Sequence, residues 1–218
     1  MTIRKYHLAA AGAALTAAVA LAACGSGPAP PGTSGSATPP PTAATPAAST
    51  PTPVNAADVA FTTGMLALEN QAAALAALVP THTTTAQVRQ LAAGLDAHAA
   101  EFQQMHGMMG QWGHPAPAPY TPGAAPPAGT GPGMMGPGDW DEMGHLHGGD
   151  FNDHFADAMM ANRTAEIALC RAELAHGASP QARALARTML TQRRAELTQL
   201  QVWHHQWEHD NDHDMMHG

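Results

Sequence analysis

Methionine and histidine side chains are concentrated in three segments of the sequence, and both residue types are metal ligands. The first segment begins at Met105, the second lies in a Pro/Gly-rich stretch, and the third is the C-terminal tail. Thioether sulfur and imidazole nitrogen are soft to borderline ligands, which suit Cu(I) and Cu(II) better than magnesium or calcium. The pattern predicts a copper-binding protein, with zinc or iron as the other metals it could take. The candidate ligands are His106, Met108, Met109, His114, Met134, Met135, Met143, His145, His147, His204, His205, His209, His213, Met215, Met216 and His217.

The tail has the most regular spacing of the three segments. Its histidines recur every four residues, so in a helix they would stand on one face and adjacent pairs could chelate a metal ion. Acidic residues between them would add oxygen ligands. A His-rich acidic tail is also typical of a solvated chain end, and both interpretations stay open here. The histidines of this ladder are His205, His209, His213 and His217.

Methionines at helical spacing have a simpler interpretation. Met105, Met159 and Met189 are typical of core residues, because a flexible thioether fills irregular gaps between helices. None of the three segments has the fixed ligand spacing of a structural zinc site. Cys170 lies among apolar residues in a predicted helix, and we expect it to be an inert buried thiol.

Motifs for catalysis are absent from the sequence, which has no serine nucleophile elbow, phosphate loop or dinucleotide-binding glycine pattern. A ferritin-like carboxylate enzyme would also need Glu-x-x-His motifs on paired helices. One glutamate does fall on each predicted helix, but those histidines are missing. We therefore expect a binding protein and not an enzyme, with a structural or protein-interaction module and a carboxylate metal enzyme as alternatives. The four glutamates are Glu69, Glu101, Glu166 and Glu196.

The sequence repeats itself after 94 residues, and the repeat predicts the fold. In both copies a short polar residue is followed by Phe at +3 and Met at +7, which is the spacing of one helical face. The second half of each copy also matches, so each copy is a helical hairpin. Two hairpins predict an all-α, up-and-down four-helix bundle. The matching residues are Asp58, Phe61 and Met65, then Asn152, Phe155 and Met159.

Capping and breaking residues place the helices. Pro80 is expected to end the first helix, and Ser179-Pro180 supplies the N-cap and first residue of the fourth. The Pro/Gly-rich segment between the hairpins is predicted to be a long and mostly disordered loop. The bundle is predicted over 55–208, with helices at 55–79, 85–112, 150–177 and from 179 onwards, a loop at 113–149 and a tail at 209–218.

The N-terminal segment is predicted to be a lipoprotein leader. Residues 1–23 have a charged start followed by an apolar run, as in a secretory signal peptide. A Leu-Ala-Ala-Cys sequence ends this run and is similar to a bacterial lipidation box, so Cys24 is the expected lipidated residue. Residues 24–54 are rich in Pro, Ala and Thr and predict an extended tether. The protein is thus expected outside the cytoplasm, anchored to the outer face of the membrane by acyl chains.

Charge excludes one class of partner. Without the signal, the chain keeps seven basic residues, all arginine, against seventeen acidic ones, a net charge of −10 with histidine neutral. Binding of nucleic acid calls for a basic surface, so nucleic acid is not an expected partner. Metal ions and the membrane are the predicted partners, and no protein partner is indicated.

Together these features resemble the bacterial family called domain of unknown function 305. The resemblance rests on the repeated Asp/Asn-x-x-Phe-x-x-x-Met helix start, the Gly-Ala-Ser-Pro turn and a glutamate near the end of each copy. It covers residues 55–112 and 150–207. It implies a ferritin-like helical bundle, commonly secreted or lipid-anchored, and an association with copper that some members have.

The sequence departs from this family at its most recognisable feature, a His-His pair just after the methionine. Leu68-Glu69 stands there in the first copy and Asn162-Arg163 in the second. The family's Gln-x-x-Glu-x-x-x-Met run on the next helix is also altered. It becomes His98-x-x-Glu101-x-x-x-Met105 in the first copy and Arg193-x-x-Glu196-x-x-x-Leu200 in the second.

These replacements change what the interior of the bundle is expected to hold. Arg163 and Arg193 are predicted to form ion pairs with Glu166 and Glu196 instead of leaving room for a metal ion. The ligand set that could still act inside the bundle is Glu69, His98, Glu101 and Met105.

Overall fold

The computed structural model of the protein describes residues 53–217, without the side chains of residues 96–97 and 208–217. Across that range all regular structure is helical, which confirms the predicted all-α class. The predicted signal peptide, Cys24 and most of the tether lie outside the described residues. The elements are α1 (Ala56–His82), α2 (Ala86–Gly94), a 3-10 turn (Leu95–His98), α3 (Ala99–Gln111), α4 (Pro137–Met143), α5 (Gly148–His176) and α6 (Pro180–His217).

The first helix begins where predicted but does not end at its proline. Asn55 caps α1: its Oδ1 accepts the N–H groups of Ala57 at 2.9 Å and Asp58 at 3.2 Å, and Asp58 accepts the Asn55 N–H in return. The prediction that Pro80 ends the helix is wrong, because α1 continues to His82. Proline lacks the N–H that would bond one turn back, and near the end of a helix this removes a single hydrogen bond.

The predicted second helix is two helices joined by a 3-10 turn. α2 ends at Gly94, and α3 begins at Ala99 after the turn. Glycine is the poorest helix former after proline, so a break at this position follows from its low propensity. The turn carries His98 into the interior, where it is 8 % exposed.

The segment between the two hairpins packs against α1, contrary to the predicted disordered loop. Asn70 Nδ2 donates to Ala118 O at 2.9 Å, and its Oδ1 accepts the Tyr120 N–H at 2.8 Å. The segment also contains the short helix α4 and buries three large apolar side chains in the core. These buried side chains are Met135, Trp140 and Met143, and the Pro/Gly-rich composition around them gives no local sign of their burial.

Apolar side chains form two clusters, one towards each end of α1, α5 and α6. Buried polar or charged residues lie between the two clusters in each of these helices. α1 packs against α5 and α5 against α6, while α2 and α3 pack against α1, so these residues face a shared interior. The first cluster includes Trp140, Phe151, Phe155 and Trp207, and the second includes Met65, Met105, Met108, Met109, Cys170 and Met189.

The last helix includes the predicted tail. Ser179 Oγ accepts the Ala182 N–H at 3.2 Å, and Pro180 is the first helical residue, as predicted. α6 then continues to His217, so the backbone of the tail is helical. Trp207 is buried and marks the last core residue described on this helix. None of the helices within residues 53–217 is long and apolar enough to cross a membrane.

Candidate functional site

A layer of ionisable side chains crosses the interior between the two apolar clusters. Four glutamates, one each from α1, α3, α5 and α6, meet there around two arginines with no exposed surface. His98 reaches the same layer from the 3-10 turn. We call these residues the central cluster: Glu69, His98, Glu101, Arg163, Glu166, Arg193 and Glu196.

Arg193 contacts all four carboxylates of the central cluster. Its Nη2 pairs with Glu69 Oε1 and lies 2.9 Å from Glu101 Oε2. Its Nε lies 2.7 Å from Glu166 Oε2, and its Nη1 lies 3.2 Å from Glu196 Oε1. The guanidinium therefore stands where four helices direct their carboxylates, the position that metal ions take in ferritin-like carboxylate proteins.

Arg163 provides a second buried cation beside the first. Its Nη1 lies 2.7 Å from Glu166 Oε2, and its Nε lies 2.8 Å from Glu196 Oε2. The neighbouring Asn162 accepts a hydrogen bond from Arg163 Nη1 at 3.2 Å and donates to Leu68 O at 2.9 Å, which ties α5 to α1. The predicted pairing of the two arginines with these glutamates is confirmed.

His98 adds a third positive charge. Its Nε2 lies 3.0 Å from Glu196 Oε1, and its Nδ1 lies 3.5 Å from Glu69 Oε2. Burial lowers the pKa of His98, but the two carboxylates outweigh burial and the repulsion from Arg193, and they raise the pKa to about 9. Arg193 Nη1 also lies 3.0 Å from His98 Nε2, and the raised pKa favours the protonated ring at neutral pH over one that accepts this hydrogen bond.

The carboxyl groups of the central cluster do not share one protonation behaviour. Burial raises the pKa of Glu69, but the His98 hydrogen bond and the charges of Arg163 and Arg193 have the larger effect and lower the pKa to about 2. For Glu166 burial prevails over both arginines and raises the pKa to about 7. Three cations face four carboxyl groups, so a single proton on Glu166 makes the cluster neutral.

The repeat in the sequence explains how the central cluster arose from one pattern. Three of its positions in the first copy correspond to three in the second, and they sit on equivalent turns of the helices. In two of these pairs, the first copy has an acid or histidine and the second has arginine. The pairs are Glu69 with Arg163, His98 with Arg193, and Glu101 with Glu196.

The ligand set expected inside the bundle is only partly brought together. Glu69, His98 and Glu101 do converge, but they converge on Arg193. Met105 lies in the second apolar cluster and is fully buried there. Within the described part of the chain, no group of three or more His, Cys, Asp or Glu side chains is arranged to hold a metal ion.

The first Met/His segment is mostly part of the core. Met108 and Met109 are buried with Cys170, which burial and the Glu166 charge keep protonated by raising its pKa to about 12. His106 is half-buried against Phe102, with ring centroids 4.7 Å apart. The last residue of the segment, His114, is exposed.

The second Met/His segment gathers at α5. Met134, Met135 and Met143 line one cavity of about 290 Å³, together with His154 and Asp157 of α5. The two histidines of the segment do not line it. His145 is exposed, and His147 is stacked on His82 of α1, with ring centroids 4.8 Å apart.

The third segment begins next to that cavity. His204 Nε2 lies 3.7 Å from Asp157 Oδ1, whereas the next residue, His205, is exposed. His209, His213, Met215, Met216 and His217 follow on the same helix, with their side chains outside the described part.

Three residues that line this cavity were missed by sequence reasoning, Glu142, His154 and Asp157. His154 and Asp157 lie in an acidic stretch of the sequence, and their spacing of three places them on one face of α5. That spacing was the available signal, but only the packing of the loop shows which face receives the methionines.

Comparison with known proteins agrees with the repeated hairpins. The sequence profile described as domain of unknown function (DUF305) matches residues 58–204. The chain belongs to the DUF305 family. This confirms the resemblance seen in the sequence. A search among curated proteins gave no match.

Solved structures share the helical fold at low sequence identity. A DUF305 fragment from Deinococcus radiodurans is 24 % identical with a TM-score of 0.59, over 71 % of this chain and 99 % of that one. A DUF305 protein from Streptomyces coelicolor, described as secreted, is 22 % identical with a TM-score of 0.56, over 66 % and 89 %. CopM in the Cu(II)-bound form is 18 % identical with a TM-score of 0.55, over 69 % and 97 %.

Proposed function

We propose that this DUF305 protein binds copper outside the cytoplasm, on the surface of its helical scaffold and not in its centre. One observation carries the proposal: the loop between the hairpins places its methionines in a cavity beside His154 and Asp157. We further propose that the protein binds metal without catalysing a reaction. The carboxylates that a ferritin-like enzyme would use are paired with Arg193.

The charges of the central cluster support a surface location. A metal ion entering there would have to displace a guanidinium that is paired with four carboxylates. It would also meet the charges of Arg163 and His98. Breaking a buried ion-pair network by removing one partner costs about 3–5 kcal/mol, so such displacement is unfavourable.

The chemistry of the outer segments supports copper. The loop offers thioethers, which suit Cu(I), and the end of α6 offers imidazoles, which suit Cu(II). CopM, whose solved structures include Cu(II)-bound and Cu(I)-bound forms, has a similar fold. Zinc and iron remain the other metals to test.

The predicted leader supports a location outside the cytoplasm, with Cys24 as the lipid anchor. The S. coelicolor relative described as secreted is in keeping with this. We expect Cys24→Ser to release the protein from membranes. Detergent phase partitioning of lysates from cells that express the variant measures this release. Partitioning identical to the wild type would contradict lipid anchoring.

Titration of the full chain with Cu(I), Cu(II) and Zn(II) tests the metal-binding proposal. Removal of residues 209–218 should reduce the number of Cu(II) ions bound without unfolding the protein, because Trp207 and the core residues before it are kept. Replacement of Met134, Met135 and Met143 by leucine should reduce Cu(I) binding, since leucine preserves the volume but not the sulfur.

Glu101→Gln is the matched control in the central cluster, and it should leave both copper stoichiometries unchanged. The alternative of a protein-interaction module predicts weak, non-saturating metal binding that none of these changes alters. That result would overturn the proposal.

A further inference from the structure

The orientation of His154 is set by its own helix. Its Nδ1 lies 3.0 Å from Asp150 O, one turn earlier in α5, so Nδ1 is the nitrogen that donates its hydrogen. In the neutral ring, Nε2 then carries the free lone pair, and it lies 3.4 Å from Glu142 Oε1. A backbone carbonyl that fixes one ring nitrogen is the usual support of a metal-binding histidine.

Three acidic residues line the cavity, and Glu142 is the one that faces His154, while the other two have other partners. Asp139 accepts the Gly136 N–H at 2.7 Å and caps α4, and Asp157 lies 3.7 Å from His204. An imidazole lone pair and a carboxylate therefore point at each other across a short gap. A proton on Nε2 or a bound metal ion would each bridge these two groups.

Met134 is held beside the same gap by the buried amide of Gln71. The Nε2 of Gln71 donates to Gly133 O at 2.7 Å, and the Oε1 of Gln71 accepts the Met135 N–H at 2.6 Å. Gln71 therefore holds the backbone on both sides of Met134. Gly133 has a φ of 75° and lies so close to α5 that a Cβ would be 2.8 Å from Ala161 O. The loop is thus fixed against the helix that carries His154.

We propose that His154 Nε2, the Met134 thioether and the Glu142 carboxylate form a copper site between the loop, α4 and α5. The inference rests on the proposed function and names the ligands of one site. Thioether and imidazole would hold Cu(I), while imidazole and carboxylate would hold Cu(II). All three side chains line the cavity of about 290 Å³, which leaves room for the ion.

The test uses the full chain with the tail ladder, His205, His209, His213 and His217, replaced by glutamine, so that α6 does not mask the site. In this background His154→Gln should weaken Cu(I) and Cu(II) binding at the tightest site by about tenfold or more, because it removes the ligand that both oxidation states share. Met134→Leu should weaken Cu(I) binding about tenfold and Cu(II) binding less than about threefold.

His145→Gln is the matched control, since that ring is 82 % exposed and lies outside the cavity. Competition with a chromophoric chelator measures Cu(I) affinity, and electron paramagnetic resonance reports nitrogen around Cu(II). Unchanged affinities in both His154→Gln and Met134→Leu would overturn this site while leaving the proposed function standing. Failure of the wild-type chain to bind any copper would overturn both.

Discussion

The central cluster can be compared with the proposed copper site of Met134, Glu142 and His154, which we call the loop site. Both contain carboxylates and a histidine, but they differ in which groups balance the negative charge. In the centre, four carboxylates meet two arginines and a charged histidine that the chain itself supplies. In the loop site, His154 Nε2 lies 3.4 Å from Glu142 Oε1, and none of the described residues that line the cavity is arginine or lysine. Convergent carboxylates alone therefore do not identify a metal site. The cations that the fold already contains must be counted first.

The largest effect expected from this comparison is at Arg193. Arg193→Ala leaves four carboxylates buried without their shared partner, and we expect a loss of about 3–5 kcal/mol in the free energy of unfolding. Urea denaturation followed by circular dichroism measures it. Arg194→Ala, at the exposed neighbouring position, should change stability by no more than about 0.5 kcal/mol. Equal losses in the two variants would contradict the account of the central cluster.

A pH dependence should come from His98. Because its pKa is raised to about 9, the stability from the charged ring is complete below the ordinary pKa of about 6.5 and is lost as pH rises through 9. We expect the free energy of unfolding of the wild type to fall by about 2 kcal/mol between pH 7 and pH 9.5. His98→Gln should lack most of this fall. The same slope in both proteins would show that His98 is not the titrating group.

A smaller effect is expected where the loop meets α5. Gly133→Ala places a Cβ 2.6 Å from Ala165 Cβ at a positive φ, and we expect it to cost about 1–3 kcal/mol. It should also weaken Cu(I) binding, because Met134 moves with the backbone. Gly138→Ala in α4 has open space around the new methyl group and should be neutral for both properties. Weakened copper binding in Gly138→Ala as well would argue against a positional role for Gly133.

Much of the fold could be predicted because it depends on local signals. The Phe and Met spacing, the Asn55 cap and the Ser179-Pro180 start are all readable within a few residues. The pairing of Arg163 and Arg193 with glutamates also followed, since buried arginines need acids.

The loop and its site could not be predicted in the same way. The contacts that fix them join Asn70 and Gln71 to residues 48–64 positions later in the chain. Such contacts leave no local periodicity, and a Pro/Gly-rich composition is typical of disorder. His154 was missed for a related reason, because the side chains that face its Nε2 come from the loop and α4 and not from its own helix.

The central claim is that copper binds beside the loop and not among the carboxylates of the interior. Anomalous diffraction at the copper edge, from crystals of the full chain grown with copper, locates the ion directly. We predict a peak between Met134, Glu142 and His154. A peak between Glu69, Glu101 and Glu196, with the Arg193 side chain displaced, would contradict the account.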